Sequence, residues 1–187
     1  MCIRDSCSAD VVSSTVPCST KWMVGTVNSF YIGIIATVIA TALGTLAALG
    51  LSRPHMPYKG LIMAILISPM IVPLIITAAG MFFFYARINL VYTFTGVILA
   101  HVALATPFVV ITVTATLVGF DMNMVKAAQS LGAKPMRTFF KVIMPLILPG
   151  IISGALFAFI TSFDEVVIVM FMASIDQLTI PKQMWAG

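Results

Sequence analysis

The chain has 187 residues, of which 60% are hydrophobic and 9% charged, and its mean hydropathy is +1.11. Soluble domains carry about 25% charged residues, so this composition excludes an ordinary water-soluble domain and describes a protein of the bilayer. The formal charge of +4 does not mark a nucleic-acid partner, because the cations are spread between long apolar runs and form no dense basic patch with interleaved aromatics.

In chain order, residues 1–20, MCIRDSCSADVVSSTVPCST, are polar and lack the apolar core of a signal peptide. They read as a non-native leader, and the chain as a piece of a longer protein lacking helices at both ends. Cys2, Cys7 and Cys18 all fall in this stretch and match neither a metal-ligand spacing nor a redox pair. Beyond it, no formally charged residue occurs from Trp22 to Ser52, Gly60 to Ala86, Ile88 to Phe120 or Val142 to Phe163. Each gap reaches the roughly 20 residues that cross about 30 Å of hydrocarbon as a helix. Four spans are expected, over 27–51, 61–85, 93–118 and 146–172, in an all-α membrane protein. The runs are apolar all round, without the alternation of a transmembrane barrel.

Arg53 and Lys59 lie between the first two expected spans, and Lys126, Lys134, Arg137 and Lys141 between the last two. The other side holds Lys21, Arg87 and Lys182. Six cations against three place the former side in the cytoplasm. Within the spans, Ala36, Ala40, Gly44 and Ala48 make one small-residue stripe and Gly150, Gly154 and Ala158 another, each allowing a second helix to approach closely. Pro69, Pro73 and Pro107 each remove a backbone donor and are expected to bend or break their helices.

The loop over 119–145 is a basic island. From residue 125 to 145 it carries four cations and no acid. Asp121 is placed to cap a short helix with Val125, Ala128 and Leu131 on one side, Gly132 stops that helix, and Pro135 opens a second one. Pro145 and Pro149 mark the entry to the membrane. A helix, a glycine turn and a helix on the cytoplasmic side form a surface for lipid headgroups or for a soluble partner.

The stretch KAAQSLGAKPMRTFFKVIMPLILPG resembles the EAA loop of ABC importer permeases, whose pattern is Glu-Ala-Ala, three residues, Gly, nine residues, then Ile-x-Leu-Pro. Ala127, Ala128, Gly132 and Pro145 match at that spacing, with Val142 and Met144 as apolar substitutes. VNSF, HVALATPFVVITVTATLVGFD, FITSFDEVVIVMFM and LTIPKQMW extend the likeness over residues 22–187, most closely toward the spermidine/putrescine-type permeases. The resemblance implies the type I importer permease fold, with four of its usual six transmembrane helices in residues 21–187, in a bacterial inner membrane. It implies that the island is a coupling loop, Lys126, Ala127, Ala128, Gly132 and Pro145, docking on a cytoplasmic ATPase dimer. The other implied partners are a second permease subunit and an external substrate-binding protein. Lys126 stands where the pattern has Glu, and is read either as facing a compensating group on the ATPase or as a solvated lysine.

No GxxxxGK[ST] phosphate loop occurs, so ATP and its Mg are expected on the partner ATPase and no cofactor or metal on this chain, which is read as a transporter subunit and not an enzyme. Asp164 and Glu165 fall toward the outer end of the last span, where carboxylates attract a cationic solute such as a polyamine, or mark the exit of the helix from the bilayer. His101 is read as a polar packing residue or a proton relay on the same path. An ATPase-independent carrier or channel remains the alternative function, and no zinc-protease or serine-hydrolase motif supports an intramembrane enzyme.

Overall fold

The computed structural model describes residues 18–53, 56–119 and 123–186, and among them every regular element is a helix. Three long rods form the bundle: α1 (Cys18–Leu51), α4 (Phe94–Val118) and α7 (Met144–Phe163). Between them lie α2 (Lys59–Ile71), α3 (Leu74–Arg87), α5 (Asn123–Ser130) and α6 (Pro135–Thr138), and α8 (Val167–Met172) and α9 (Ile180–Ala186) follow. Three helical stretches are long and apolar enough to cross a membrane, Trp22–Leu51, Phe94–Val118 and Pro135–Phe163, and a fourth span results if α2 and α3 count as one.

Contacts set the helix directions. Tyr31 meets Phe94 and Gly44 meets Val109, so α1 and α4 run parallel. Gly150 meets Thr116, Gly154 meets Thr112, Phe157 meets Phe108 and Ser162 meets His101, so α7 runs antiparallel to α4. The last residues of α1 and α4 therefore share one end of the bundle with the first residues of α7, and this is the end that carries the basic island.

Helix α4 is the axis of the bundle, with thirteen buried residues against five in α7 and none in α2. The five in α7 are Ile147, Gly150, Gly154, Ala158 and Ser162, a single stripe at helical spacing. Ala36, Ala40, Gly44 and Ala48 are buried likewise on α1. Gly44 of the first stripe and Gly150 and Gly154 of the second seat directly against α4. In a bilayer, where lipid tails are as apolar as leucine, such close backbone approach supplies packing contacts that side-chain hydrophobicity cannot.

The prolines act unequally. α2 and α3 meet at 103°, so the expected span 61–85 is broken rather than continuous. Val72 is extended ahead of Pro73, as the residue before a proline prefers. Pro69 leaves α2 intact, because the Ile65 carbonyl deprived of its N–H accepts the Ser68 hydroxyl at 2.7 Å. Pro107 does not break α4 either. It is fully buried within a helix that continues to Val118, whereas α2, which ends at Ile71 just ahead of Pro73, has no buried residue. The expected span 146–172 is likewise divided, since α7 stops at Phe163 and α8 begins at Val167.

Candidate functional site

The basic island takes its shape from backbone chemistry. Past α5, the Ala133 N–H donates to the Ala128 carbonyl at 3.1 Å while Gly132 adopts φ 75°, which is a Schellman stop. A Cβ on Gly132 would meet open space, so the glycine is needed for its left-handed backbone and not for room. Lys134 is extended before Pro135, and Pro135 occupies the first turn of α6, where its missing N–H has no intrahelical acceptor anyway.

From Pro135 the chain stays helical into the membrane-length rod, but residues Phe139–Ile143 form a π-turn in which the Met144 N–H reaches back to the Phe139 carbonyl. Pro145 explains this widening. Its ring would collide with the carbonyl four residues earlier, and the extra residue in the turn moves that carbonyl away.

Of the sequence-predicted residues in this loop, Lys126, Ala127, Gly132 and Pro145 are exposed and Ala128 is half-buried. Leu131 does not join Val125 and Ala128 on an inward face. It falls one residue beyond α5 and is 88% exposed, because the glycine stop turns it outward. Met124, Met136 and Phe140 are exposed as well. The segment therefore presents apolar side chains interspersed with Lys126, Lys134, Arg137 and Lys141. The helix start expected at Asp121 and the leader up to residue 17 lie outside the described residues.

At the opposite end of α7 the structure separates the two neighbouring carboxylates. Asp164 is exposed at the end of the rod, whereas Glu165 is 7% exposed and its Oε1 accepts the Ile168 N–H at 3.0 Å. Glu165 thus caps α8, filling one of the vacant donor positions at a helix start. His101 is buried at the same end, its Nδ1 2.8 Å from the Ser162 hydroxyl, tying α4 to the last turn of α7. The basic island lies at the other end of α7, a full helix length away, about 30 Å at 1.5 Å per residue.

Asn28, Ser29 and Gln177 are buried polar residues that sequence reasoning missed. Asn28 and Ser29 stand within VNSF, in an apolar run, and the signal available was two adjacent polar side chains at the start of a membrane-length helix. Burial pushes the Lys182 ammonium below its usual range, and its Nζ donates to the Val169 and Ala173 carbonyls, closing the C-terminus of α8.

Long apolar rods packed through glycine and alanine stripes, with a basic helix-turn-helix segment at one end, define a multi-pass α-helical membrane protein of the importer-permease fold. The fold matches a crystal structure of a bacterial ABC transporter involved in the import of the acidic polysaccharide alginate, with TM-score 0.69 and 17% identity, over 88% of this chain and 57% of that one. Residues 18–186 match the family model of the binding-protein-dependent transport system inner membrane component, and the chain belongs to that family. It is 31% identical over 160 residues to the spermidine/putrescine transport system permease protein PotC of Haemophilus influenzae, covering 86% of this chain and 62% of that protein. It is 33% identical over 144 residues to the trehalose transport system permease protein SugB of Mycobacterium tuberculosis, covering 77% and 53%. The chain thus spans about three fifths or less of the length of these curated relatives.

Proposed function

We propose that this chain is the membrane subunit of an ATP-driven importer in a bacterial inner membrane, and that residues 123–145 dock on a cytoplasmic ATPase. The observation that carries this reading is the exposed, acid-free helix, glycine stop and helix, continuous through the π-turn with α7. Force applied at α5 and α6 passes directly into a rod that reaches the other end of the bundle. Apolar side chains at Met124, Leu131 and Met136 supply contact area, and the cations around them favour an acidic rim on the partner. ATP and Mg belong on that ATPase. A second permease subunit and an external binding protein complete the assembly.

The solute is a small organic molecule, and a polyamine is the reading we favour. The likeness to the spermidine/putrescine permease and the exposed carboxylate of Asp164 support it. The likeness to the trehalose permease sets the competing solute class. Uptake of labelled spermidine and labelled trehalose into vesicles holding the assembled transporter separates the two.

Docking is tested at Gly132. Tryptophan there adds bulk at the exposed turn and forces a side-chain-bearing residue into φ 75°. Gly132→Trp is expected to abolish co-purification with the ATPase, while Gly80→Trp, at another position with open space, leaves it intact. Unchanged co-purification of Gly132→Trp overturns the assignment.

A further inference from the structure

At the end of the bundle opposite the basic island, residues 173–183 return across the ends of several helices. Asn28 on α1 donates from one amide nitrogen to the carbonyls of Asp176 and Leu178, at 3.0 and 3.1 Å. Its neighbour Ser29 accepts the Ile180 N–H at 2.9 Å. Gln177, 4% exposed, donates to the Tyr92 carbonyl at 2.9 Å and accepts the Ser174 N–H at 3.2 Å. The Tyr92 N–H in turn donates to the Met172 carbonyl at 2.9 Å.

These bonds close a ring that joins α1, the returning loop, the turn before α4 and the end of α8. Tyr92 holds φ 62°, a left-handed conformation that a non-glycine residue keeps only when its surroundings over-determine it. Here its N–H and its carbonyl are both engaged by the ring.

We propose that Asn28 is the positioning residue of a clasp that stays shut through the transport cycle, holding residues 174–180 on α1. The α7–α8 corner that bears Asp164 then moves only as a fixed part of the bundle. This consequence for transport rests on the permease reading above. One amide serves two carbonyls, so any swing of the loop loses both bonds together. It also leaves Asn28 and Ser29, which are 9% and 3% exposed, as unpaired polar groups against an apolar bundle. Rocking of the whole bundle strips no such partner.

The test places a cysteine under the clasp. Thr179 is 4% exposed and its hydroxyl has no hydrogen-bond partner, so Thr179→Cys removes no bond. With Cys2, Cys7 and Cys18 replaced by serine, the rate of labelling by a charged maleimide is measured on the membrane complex without nucleotide, with ATP, and trapped with vanadate. Labelling is expected to be slow and equal within about twofold in all three states, as for a segment that does not open locally. Asn28→Asp sets a carboxylate against two carbonyl oxygens, and is expected to raise the rate on the order of tenfold, the scale of losing two neutral hydrogen bonds. Ser29→Ala, which removes a single acceptor, gives a smaller rise and serves if Asn28→Asp fails to accumulate. A tenfold faster rate in any one nucleotide state of the Thr179→Cys protein, or no response to either clasp variant, overturns the proposal. Co-purification with the ATPase is checked first. Its failure counts against the permease reading, and the clasp variants in the chain alone still decide whether Asn28 holds the loop.

Discussion

The contact between α7 and α4 at Gly154 permits a quantitative prediction. A Cβ there would lie 2.5 Å from Thr112 Oγ1 and 3.0 Å from Val109 Cα. The Thr112 hydroxyl cannot swing aside freely, because it donates to the Phe108 and Val109 carbonyls at 3.0 and 3.1 Å, and Val109 Cα is backbone. Gly154→Ala therefore pushes α7 away from α4 by roughly half an ångström to one ångström to restore ordinary contact distances of about 3.5 Å. Overpacking of this kind costs about 1–3 kcal/mol, and the better helix propensity of alanine returns about 1 kcal/mol. The net loss is about 0–2 kcal/mol.

Gly80→Ala on α3 is the control. Nothing lies within 4 Å of its Cβ, so only the propensity gain of about 0.5–1 kcal/mol applies. The two variants should differ by about 2 kcal/mol, or roughly 4–8 °C in Tm for a chain of this size. Thermal unfolding in detergent, followed by the loss of the monodisperse peak on size-exclusion chromatography, reads that difference. Adding Thr112→Ala to Gly154→Ala should recover part of the loss but not all, since Val109 Cα remains in the way. A Tm for Gly154→Ala at or above that of Gly80→Ala refutes the packing argument.

Three further outcomes follow from the two ends of the bundle. Lys126→Glu should leave Tm unchanged, because Lys126 is exposed, yet weaken co-purification with the native ATPase by a few-fold, the worth of a rim charge pair of about 0.5–1 kcal/mol. Tighter association would show that the partner presents no acid opposite it. Glu165→Ala should lower stability by about 1 kcal/mol through loss of the α8 cap, whereas Glu165→Gln keeps an acceptor oxygen and stays within a few tenths of a kcal/mol. Asp164→Asn should leave Tm unchanged and reduce uptake of a cationic solute, and equal uptake by wild type and Asp164→Asn removes Asp164 from the path.

The helical membrane class was legible because charges in hydrocarbon are costly and their absence therefore marks the helices. The buried stripes on α1 and α7 were legible for a similar reason, since glycine and alanine every three or four residues have little use except close approach. The glycine stop of the basic island was legible from Gly132 and Pro135, which punctuate helices by their own backbone limits. What Asp164 and Glu165 do was not. They are adjacent and chemically alike, and the difference between an exposed carboxylate and a helix cap arises from where α7 ends.

Local chemistry, then, determined in advance that this chain makes apolar helices, which faces pack, and where the basic helix pair breaks. Tertiary structure decided how Pro107 and Pro73 differ. Pro107, fully buried, leaves its helix unbroken, whereas at Pro73, beside a helix without buried residues, the chain turns by 103°. It also decided the partners of Asn28, whose acceptors at Asp176 and Leu178 lie about 150 residues away in sequence. No local pattern encodes such a pairing, because a buried amide takes whatever carbonyl the packed helices bring to it.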